Sequence, residues 1–386
     1  MNKSITRMFP LLMLPLLSVL TQVGLTASFP QRREFYGSVL RASTFIAVMP
    51  FAAMCTGTIW GVVVRKIGLN ASVLLSLGGW SLTIVLYSFL LPIFPVVIAL
   101  RALQGVFDAG FAALPLVAGS RPGFSERERV RYLGLFETLA TVGAIAGPLA
   151  MGSVFLFSPR GALWAVAGLG LLTIVFFALR RPEERRKRAG LRAAAAGTGA
   201  PRKRRLEPET HRHFSFRILL PAAFAVSALV LLVAAETFIP VAVEARYGSP
   251  LLGKLVVTIY EAVVVVGVMG KARIPGVRRF IPLALGACFG VSYLARDVTP
   301  LLAAGMLLSA VGIGLALTMG NEFAARTSAG FEEHGMSLYA SLKISGGFIG
   351  PYFAAFGFPF VLLPLGALSL VSTLFLRRSG AGKNVL

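Results

Sequence analysis

Polar and apolar residues separate along this chain into long blocks, with no strand-like alternation. Apolar stretches fall near residues 8–28, 38–64, 71–91, 95–119, 132–155 and 161–179, and again near 216–240, 250–271, 279–295, 299–323, 336–357 and 358–376. A helix of about 20 apolar residues crosses about 30 Å of hydrocarbon, and helical pairing satisfies every backbone group where water is absent. The blocks therefore predict an all-α polytopic membrane protein with twelve transmembrane helices in two sets of six. The leading MNKSITR resembles the start of a signal peptide. Its apolar part is long, however, and no small-x-small cleavage site precedes the next block, so it reads as a retained span.

Composition agrees with this reading. The 386 residues are 56% hydrophobic and 14% charged, and the mean hydropathy of +0.78 lies outside the range of soluble domains of this size. A net charge of +22 would suggest nucleic acid in a soluble protein. Here the cations occupy short gaps between apolar blocks, which argues against a nucleic-acid partner. With the amino terminus inside, every loop cation except Arg32, Arg33, Arg160, Arg246 and Arg296 falls on one side. By the positive-inside rule that side is cytoplasmic and both termini lie there.

The chain divides into an amino-terminal six-helix bundle over 1–179, a basic cytoplasmic linker over 180–215 and a carboxy-terminal six-helix bundle over 216–386. The linker's charge, Ala, Gly and Pro content predicts a largely disordered tether with short surface helices that fixes topology, with a polybasic patch on anionic lipid as the alternative. Cys55 and Cys288 fall inside spans, and His211, His213 and His334 lie in loops without ligand partners, so neither a metal site nor a cofactor is expected. The phosphate-cradling pattern of ATPases is missing, as are Ser-His-Asp and HExxH constellations, which argues against an enzyme.

Two alignments expose an internal repeat. At an offset of 203, LGLFETLATVGAIAGP lies over MSLYASLKISGGFIGP, superposing Gly143, Gly147 and Pro148 on Gly346, Gly350 and Pro351. At an offset of 206, Gly61 and Arg65 fall on Gly267 and Lys271. Six is an even number, so both repeats enter the membrane from one side; such parallel repeats are found in transporters that bind substrate where the repeats meet. Glycines four residues apart let a neighbouring backbone approach closely, and a proline is tolerated where neighbours satisfy the freed carbonyl. The span holding GAIAGPLAMG is expected to pack tightly and bend.

Over essentially its whole length the chain resembles the major facilitator superfamily. GVVVRKIG, with Gly61, Arg65 and Gly68, is similar to that family's loop motif between spans two and three. RALQG, with Arg101 and Gln104, resembles its span-four motif, and GAIAGPLAMG resembles the span-five motif of proton-driven exporters. The resemblance implies the superfamily's twelve-helix fold and alternating access. Arg65 stands where the family usually has Asp, so the family's cytoplasmic charge gate must be built differently here. The span-five motif ends Met-Gly instead of Gly-Gly.

Charges within spans cost about 2.5–3.5 kcal/mol each on insertion scales and are candidates for function. They are Arg41, Arg101, Asp108, Glu137, Glu236, Lys254, Glu261 and Lys343; spans three, six, nine and twelve have none, as expected of an outer ring. Position along the span assigns Arg41, Glu236, Lys254 and Glu137 to span ends, where snorkelling or a local cap accounts for them, and places Asp108, Glu261 and Lys343 near mid-membrane. Arg101, Gln104 and Asp108 share one helix face, as do Lys254, Thr258 and Glu261. Burial favours the neutral form of a carboxyl and a nearby cation the charged form, so opening the cavity or admitting a cationic substrate would release a proton. Asp108 is the expected carrier, with Glu261 or Glu137 as alternatives. Lys343 either neutralises Glu261 or holds an anionic group of the substrate, and Phe107, Phe111, Phe136, Phe238, Tyr260, Tyr339 and Phe348 are candidates to line the cavity.

These readings converge on a monomeric secondary transporter of the bacterial cytoplasmic membrane that couples protons to efflux of a small amphipathic or hydrophobic compound, with lipid as its surroundings. Import or facilitated passage of an organic anion, held by Arg101 and Lys343, is the alternative. Lipid translocation and a transporter-like membrane sensor are further readings.

Overall fold

The computed structural model describes residues 3–28, 38–90, 93–120, 126–196, 214–270, 299–328 and 332–356. Helices α1 (Lys3–Ser28), α2 (Val39–Ile67), α3 (Leu69–Leu90) and α4 (Phe94–Ser120) fall on the first four predicted spans. Helix α5 runs over Glu126–Ala146, passes through a π-helical turn at Gly147–Met151 and resumes over Gly152–Phe157. Helices α6 (Pro159–Ala196), α7 (Phe214–Tyr247) and α8 (Pro250–Gly270) follow, then α9 (Thr299–Thr327) and α10 (Glu332–Phe356) on the tenth and eleventh predicted spans. The ninth and twelfth predicted spans, Cys288 and the carboxy-terminal tail lie outside the described residues. Among the described residues, nine helices are long and apolar enough to cross a membrane.

Local chemistry sets the helix ends. Ser38 precedes α2 and accepts a hydrogen bond from the Arg41 amide at 3.2 Å. Gly68 ends α2 with φ 83°, its N–H donating to the Val64 carbonyl, and Gly248 closes α7 in the same way with φ 66°. Both positions need the left-handed backbone that glycine adopts without strain. Within the spans, hydroxyls such as Thr21, Thr141 and Thr237 donate back to the carbonyl four residues earlier, so they stay satisfied in an apolar setting.

The linker differs from expectation in its first part. Helix α6 continues past the predicted boundary at 179 to Ala196, because the Glu, Arg, Lys and Ala of this stretch are strong helix formers and extend a helix already nucleated in the span. Residues 197–213 lie outside the described residues.

The repeat is visible in the packing. On α5, a Cβ at Gly143 would fall 2.6 Å from the Leu16 carbonyl of α1, and one at Gly147 would fall 2.7 Å from that of Leu20. On α10, Gly346 and Gly350 stand against the Val226 and Val230 carbonyls of α7 at 2.6 and 2.8 Å by the same measure. Helix pairs α1–α5 and α7–α10 are thus built by one device, the close approach allowed by small residues. The two halves meet chiefly through α2 on α10 and α5 on α8. Helices α3 and α6 pack on each other, and α6 turns Leu169, Leu171, Leu172 and Val175 outward. This fits the outer position expected for spans three and six.

Span five, where a bend is expected, carries a π turn. Pro148 has no N–H to offer, and the ladder widens so that the Gly152 amide donates to the Gly147 carbonyl five residues back. Helix α10, which carries the equivalent Pro351, continues as an α-helix to Phe356. The repeat is therefore kept in its glycines and broken at this turn.

Candidate functional site

The end at which α1, α5, α7 and α10 begin is here called the inner end. There the two halves close on each other. Val117, Ala118, Tyr132 and Leu133 of the first half share one buried apolar cluster with Ala324, Ala325, Met336, Tyr339 and Ala340 of the second.

Above this cluster a polar network crosses between the halves. Glu137 of α5 pairs with Lys343 of α10, Nζ to Oε1 being 2.6 Å, with side-chain exposures of 4% and 13%. The Asn321 amide of α9 donates to the same Oε1. The Tyr339 hydroxyl donates to Asn321 Oδ1 at 2.9 Å, and Lys343 Nζ stands 3.4 Å from that oxygen and 5.8 Å from the centre of the Phe136 ring. A buried ion pair persists only where further hydrogen bonds satisfy it, and Asn321 and Tyr339 supply them. Lys343 thus neutralises Glu137 and not Glu261. The span-end reading of Glu137 is corrected: its carboxyl points into the seam between the halves.

In the first half, Arg101, Gln104 and Asp108 share a face of α4 as expected and all are buried. Arg101 Nη1 donates to Gln104 Oε1 at 2.7 Å, and the guanidinium lies 5.0 Å from the Phe45 ring centre. Ser18, Arg101 and Trp80 are the polar neighbours of Asp108, while Asp108 Oδ1 and Trp80 Nε1 each lack a hydrogen-bond partner of good geometry.

In the second half, Glu261 of α8 is fully buried, and its carboxyl meets that of Glu236 on α7 closely enough to share a hydrogen bond. Neither Glu261 oxygen accepts a bond from any other described donor. Lys254, one face with Glu261 along α8, does not pair with it; Nζ donates to the Gly152 carbonyl of α5 at 2.6 Å. Glu236 and Lys254 are 3% and 0% exposed, which corrects the snorkelling assigned to both. Arg41 does sit exposed in the first turn of α2, 5.6 Å from the Phe94 ring centre.

Arg65 is exposed in the last turn of α2, where a cation favours the helix dipole. Among the described residues it forms no salt bridge or hydrogen bond to the second half at the inner end. Of the aromatic candidates, Phe111 packs on Trp80 in the core, and Phe348 bridges Phe51 and Tyr352 along the α2–α10 seam. Sequence reasoning missed Asn321, Gly152, Ser18 and Trp80; an amide inside a span was the one available signal, and it identifies Asn321. Among the described residues no cluster of metal-ligating side chains occurs.

A family model of the Major Facilitator Superfamily matches residues 11–351. The chain belongs to the Major Facilitator Superfamily. Members of this superfamily are transporters and not enzymes, so the protein is a multi-pass membrane transporter of small-molecule substrates. Two solved superfamily structures share its fold. The proton:xylose symporter XylE bound to 6-bromo-6-deoxy-D-glucose matches with a TM-score of 0.68 at 12% identity, covering 96% of this chain and 95% of that one. The human organic anion transporter MFSD10 (TETRAN) matches with a TM-score of 0.70 at 16% identity, covering 97% and 100%. At these identities the likeness establishes the fold alone. No curated protein sequence matches the chain.

Proposed function

We propose that this superfamily member is a secondary active transporter in which the halves 1–179 and 216–386 rock about a central site, exchanging protons for a small amphipathic or hydrophobic compound that leaves the cytoplasm. The observation that carries the reading is the burial of carboxyls deep in both halves, Asp108 in the first and Glu261 beside Glu236 in the second. Ionisable groups at such depth in a membrane protein mark ion pathways and proton relays. Asp108 remains the first candidate to carry the proton, with Glu261 the alternative; Glu137 is engaged in holding the halves together. The transporter acts as a monomer in a bacterial cytoplasmic membrane.

A second reading draws on Lys343 and Arg101. An organic anion that displaced Glu137 from Lys343 would be held by a cation lying in the seam between the halves. MFSD10, which shares the fold, is itself an organic anion transporter.

Proton movement in liposomes decides between them. Purified protein is reconstituted with an internal pH dye, a pH gradient is imposed, and cationic, neutral and anionic compounds are added in turn. Proton flux triggered by a cationic or neutral compound and abolished by Asp108→Asn or Glu261→Gln supports antiport. Compound flux without proton movement refutes it, and flux confined to anions and lost in Lys343→Met supports the second reading.

A further inference from the structure

Lys254 is a buried cation whose hydrogen bond crosses the two halves to a neutral acceptor, with the Glu244 carboxylate of α7 near enough to act on its charge but not hydrogen-bonded to it. It belongs to α8, is 0% exposed, and donates to the Gly152 carbonyl of α5, 102 residues away in sequence. Gly152 follows directly on the π turn of Gly147–Met151. A carbonyl has two lone pairs, so it can take the ammonium without giving up its helical bond. The missing Cβ leaves room for the approach: one built at Gly152 would stand 2.7 Å from Ser28 Oγ of α1 and 3.5 Å from Lys254 Nζ.

The arrangement is not a by-product of the repeat. At the repeat offsets, Lys254 corresponds to Val48 and Gly152 to Ala355, and α10 has no π turn there. Glu137 and Gly152 are fifteen residues apart on one helix, about 22 Å at 1.5 Å per residue. Helix α5 is therefore tied to the second half at two depths, to α9 and α10 near its inner end and to α8 near its outer end. A rigid-body rock that opens either end separates one tie while the other serves as its pivot.

We propose that Lys254 is a positioning residue that latches the outer part of the interface by holding the Gly152 carbonyl, and that this bond must break before the transporter opens to the outside. A carbonyl acceptor suits a latch that is made and broken in each cycle. Water solvates the released ammonium, whereas a buried carboxylate partner would hold it more tightly. The inference rests on alternating access but not on proton coupling, efflux or substrate class.

The test reads access from each side in the full-length protein with no substrate present. In a Cys55→Ala, Cys288→Ala background, an outer reporter, Thr258→Cys, is placed on α8 one turn below Lys254, and an inner reporter, Ser341→Cys, on α10 where the side chain of Ser341 donates to the Met54 carbonyl. Oriented vesicles are treated with a membrane-impermeant thiol reagent from either side. Lys254→Met should raise outside labelling of the outer reporter about threefold or more and leave inside labelling of the inner reporter equal or lower, and Lys254→Arg should return both to the parent rates. Parent-like labelling of the outer reporter in Lys254→Met, or an equal rise of both reporters, overturns the latch. If Lys254→Met is not recovered folded, Lys254→Leu must give the same one-sided rise, and parent rates there overturn the proposal. One-sided labelling of neither reporter in any variant, parent included, refutes alternating access itself, while a normal latch result with no proton flux refutes only the coupling.

Discussion

The pair Glu137–Lys343 allows a quantitative test of how the inner end is held. Glu137→Ala removes the oxygen that serves both Lys343 Nζ and the Asn321 amide, leaving the ammonium only the Asn321 oxygen at 3.4 Å. Stranding one partner of a buried pair costs about 3–5 kcal/mol, and the poor remaining contact places Glu137→Ala near the upper end. Lys343→Met leaves the carboxylate with the Asn321 amide, a charge-assisted bond worth about 1.5–3 kcal/mol, so its cost falls near the lower end. Removing both charges in Glu137→Leu/Lys343→Met strands no charge; it leaves only the buried Asn321 N–H without its acceptor, at about 1–3 kcal/mol. With singles at about 5 and 3 kcal/mol, the double variant should therefore be about 5 kcal/mol more stable than their sum, above the coupling of about 0.5–3 kcal/mol usual for residues in contact.

Thermal unfolding of purified protein in detergent, followed with a thiol-reactive dye, reads this directly. At about 2 °C per kcal/mol for a large domain, Glu137→Ala should lower Tm by about 6–10 °C. The double variant should recover most of that loss. Charge reversal in Glu137→Lys/Lys343→Glu should recover part of it, because Asn321 can present its amide or its oxygen to either charge. Additivity of the single effects within about 0.5 kcal/mol, the behaviour of independent sites, would refute the coupling and with it the tie.

Three further outcomes follow from the geometry. Gly147→Ala and Gly350→Ala each place a methyl within 2.8 Å of a neighbouring carbonyl and should cost similar amounts, about 1–3 kcal/mol. Gly134→Ala, where nothing lies within 4 Å, should instead gain up to about 1 kcal/mol of helix propensity in the same unfolding assay. Gly68→Ala and Gly68→Asn both force a side chain onto φ 83°, ψ 162°, a region essentially confined to glycine, at a strain of about 1–3 kcal/mol; a Tm equal to the parent's in either variant would contradict the turn geometry. Asn321→Ala should lower Tm by less than Glu137→Ala does, since the ion pair survives it, and an equal or larger drop would place the centre of the network on the amide.

The spans were legible because hydrocarbon thickness fixes their length and forbids unpaired backbone, and the repeat was legible because Gly143, Gly147 and Pro148 recur at one offset. Facing was not. Lipid and bundle interior are equally apolar, so the order of Leu, Val and Phe does not say which side of a span looks inward. Distance from a span end was therefore a poor guide for Glu137, Glu236 and Lys254: each has the position of a snorkelling residue and the surroundings of a buried one. The partner of Lys343 depends on how α5, α9 and α10 converge, and nothing in the order of residues along α10 distinguishes Glu137 from Glu261 as its counter-charge. The helical extension of α6 was hidden by reading residues 180–196 for charge and not for helix propensity.

Symmetry separates scaffold from chemistry in this protein. The glycines that bring α5 onto α1 and α10 onto α7 recur in both halves, because each half must fold by the same helix packing. The charged groups that tie the halves together do not recur. At the repeat offsets Glu137 corresponds to Ala340, Lys343 to Ala140 and Lys254 to Val48, so each of these charges has an apolar residue at its mirror position. A group needed only for folding would be as useful in one repeat as in the other. Both repeats enter the membrane from one side, so a mirrored copy of a tie lies at the same depth and doubles that tie without moving it to the other end, and one copy is enough. Moving the ion pair to its mirror positions, with Glu137→Ala and Lys343→Ala combined with Ala340→Glu and Ala140→Lys, therefore tests the distinction. The transplanted pair lies at the same depth without the Asn321 amide to complete it, so it should restore only part of the stability of the parent and leave unchanged which side admits the thiol reagent; full recovery of Tm would show that Asn321 adds nothing to the tie.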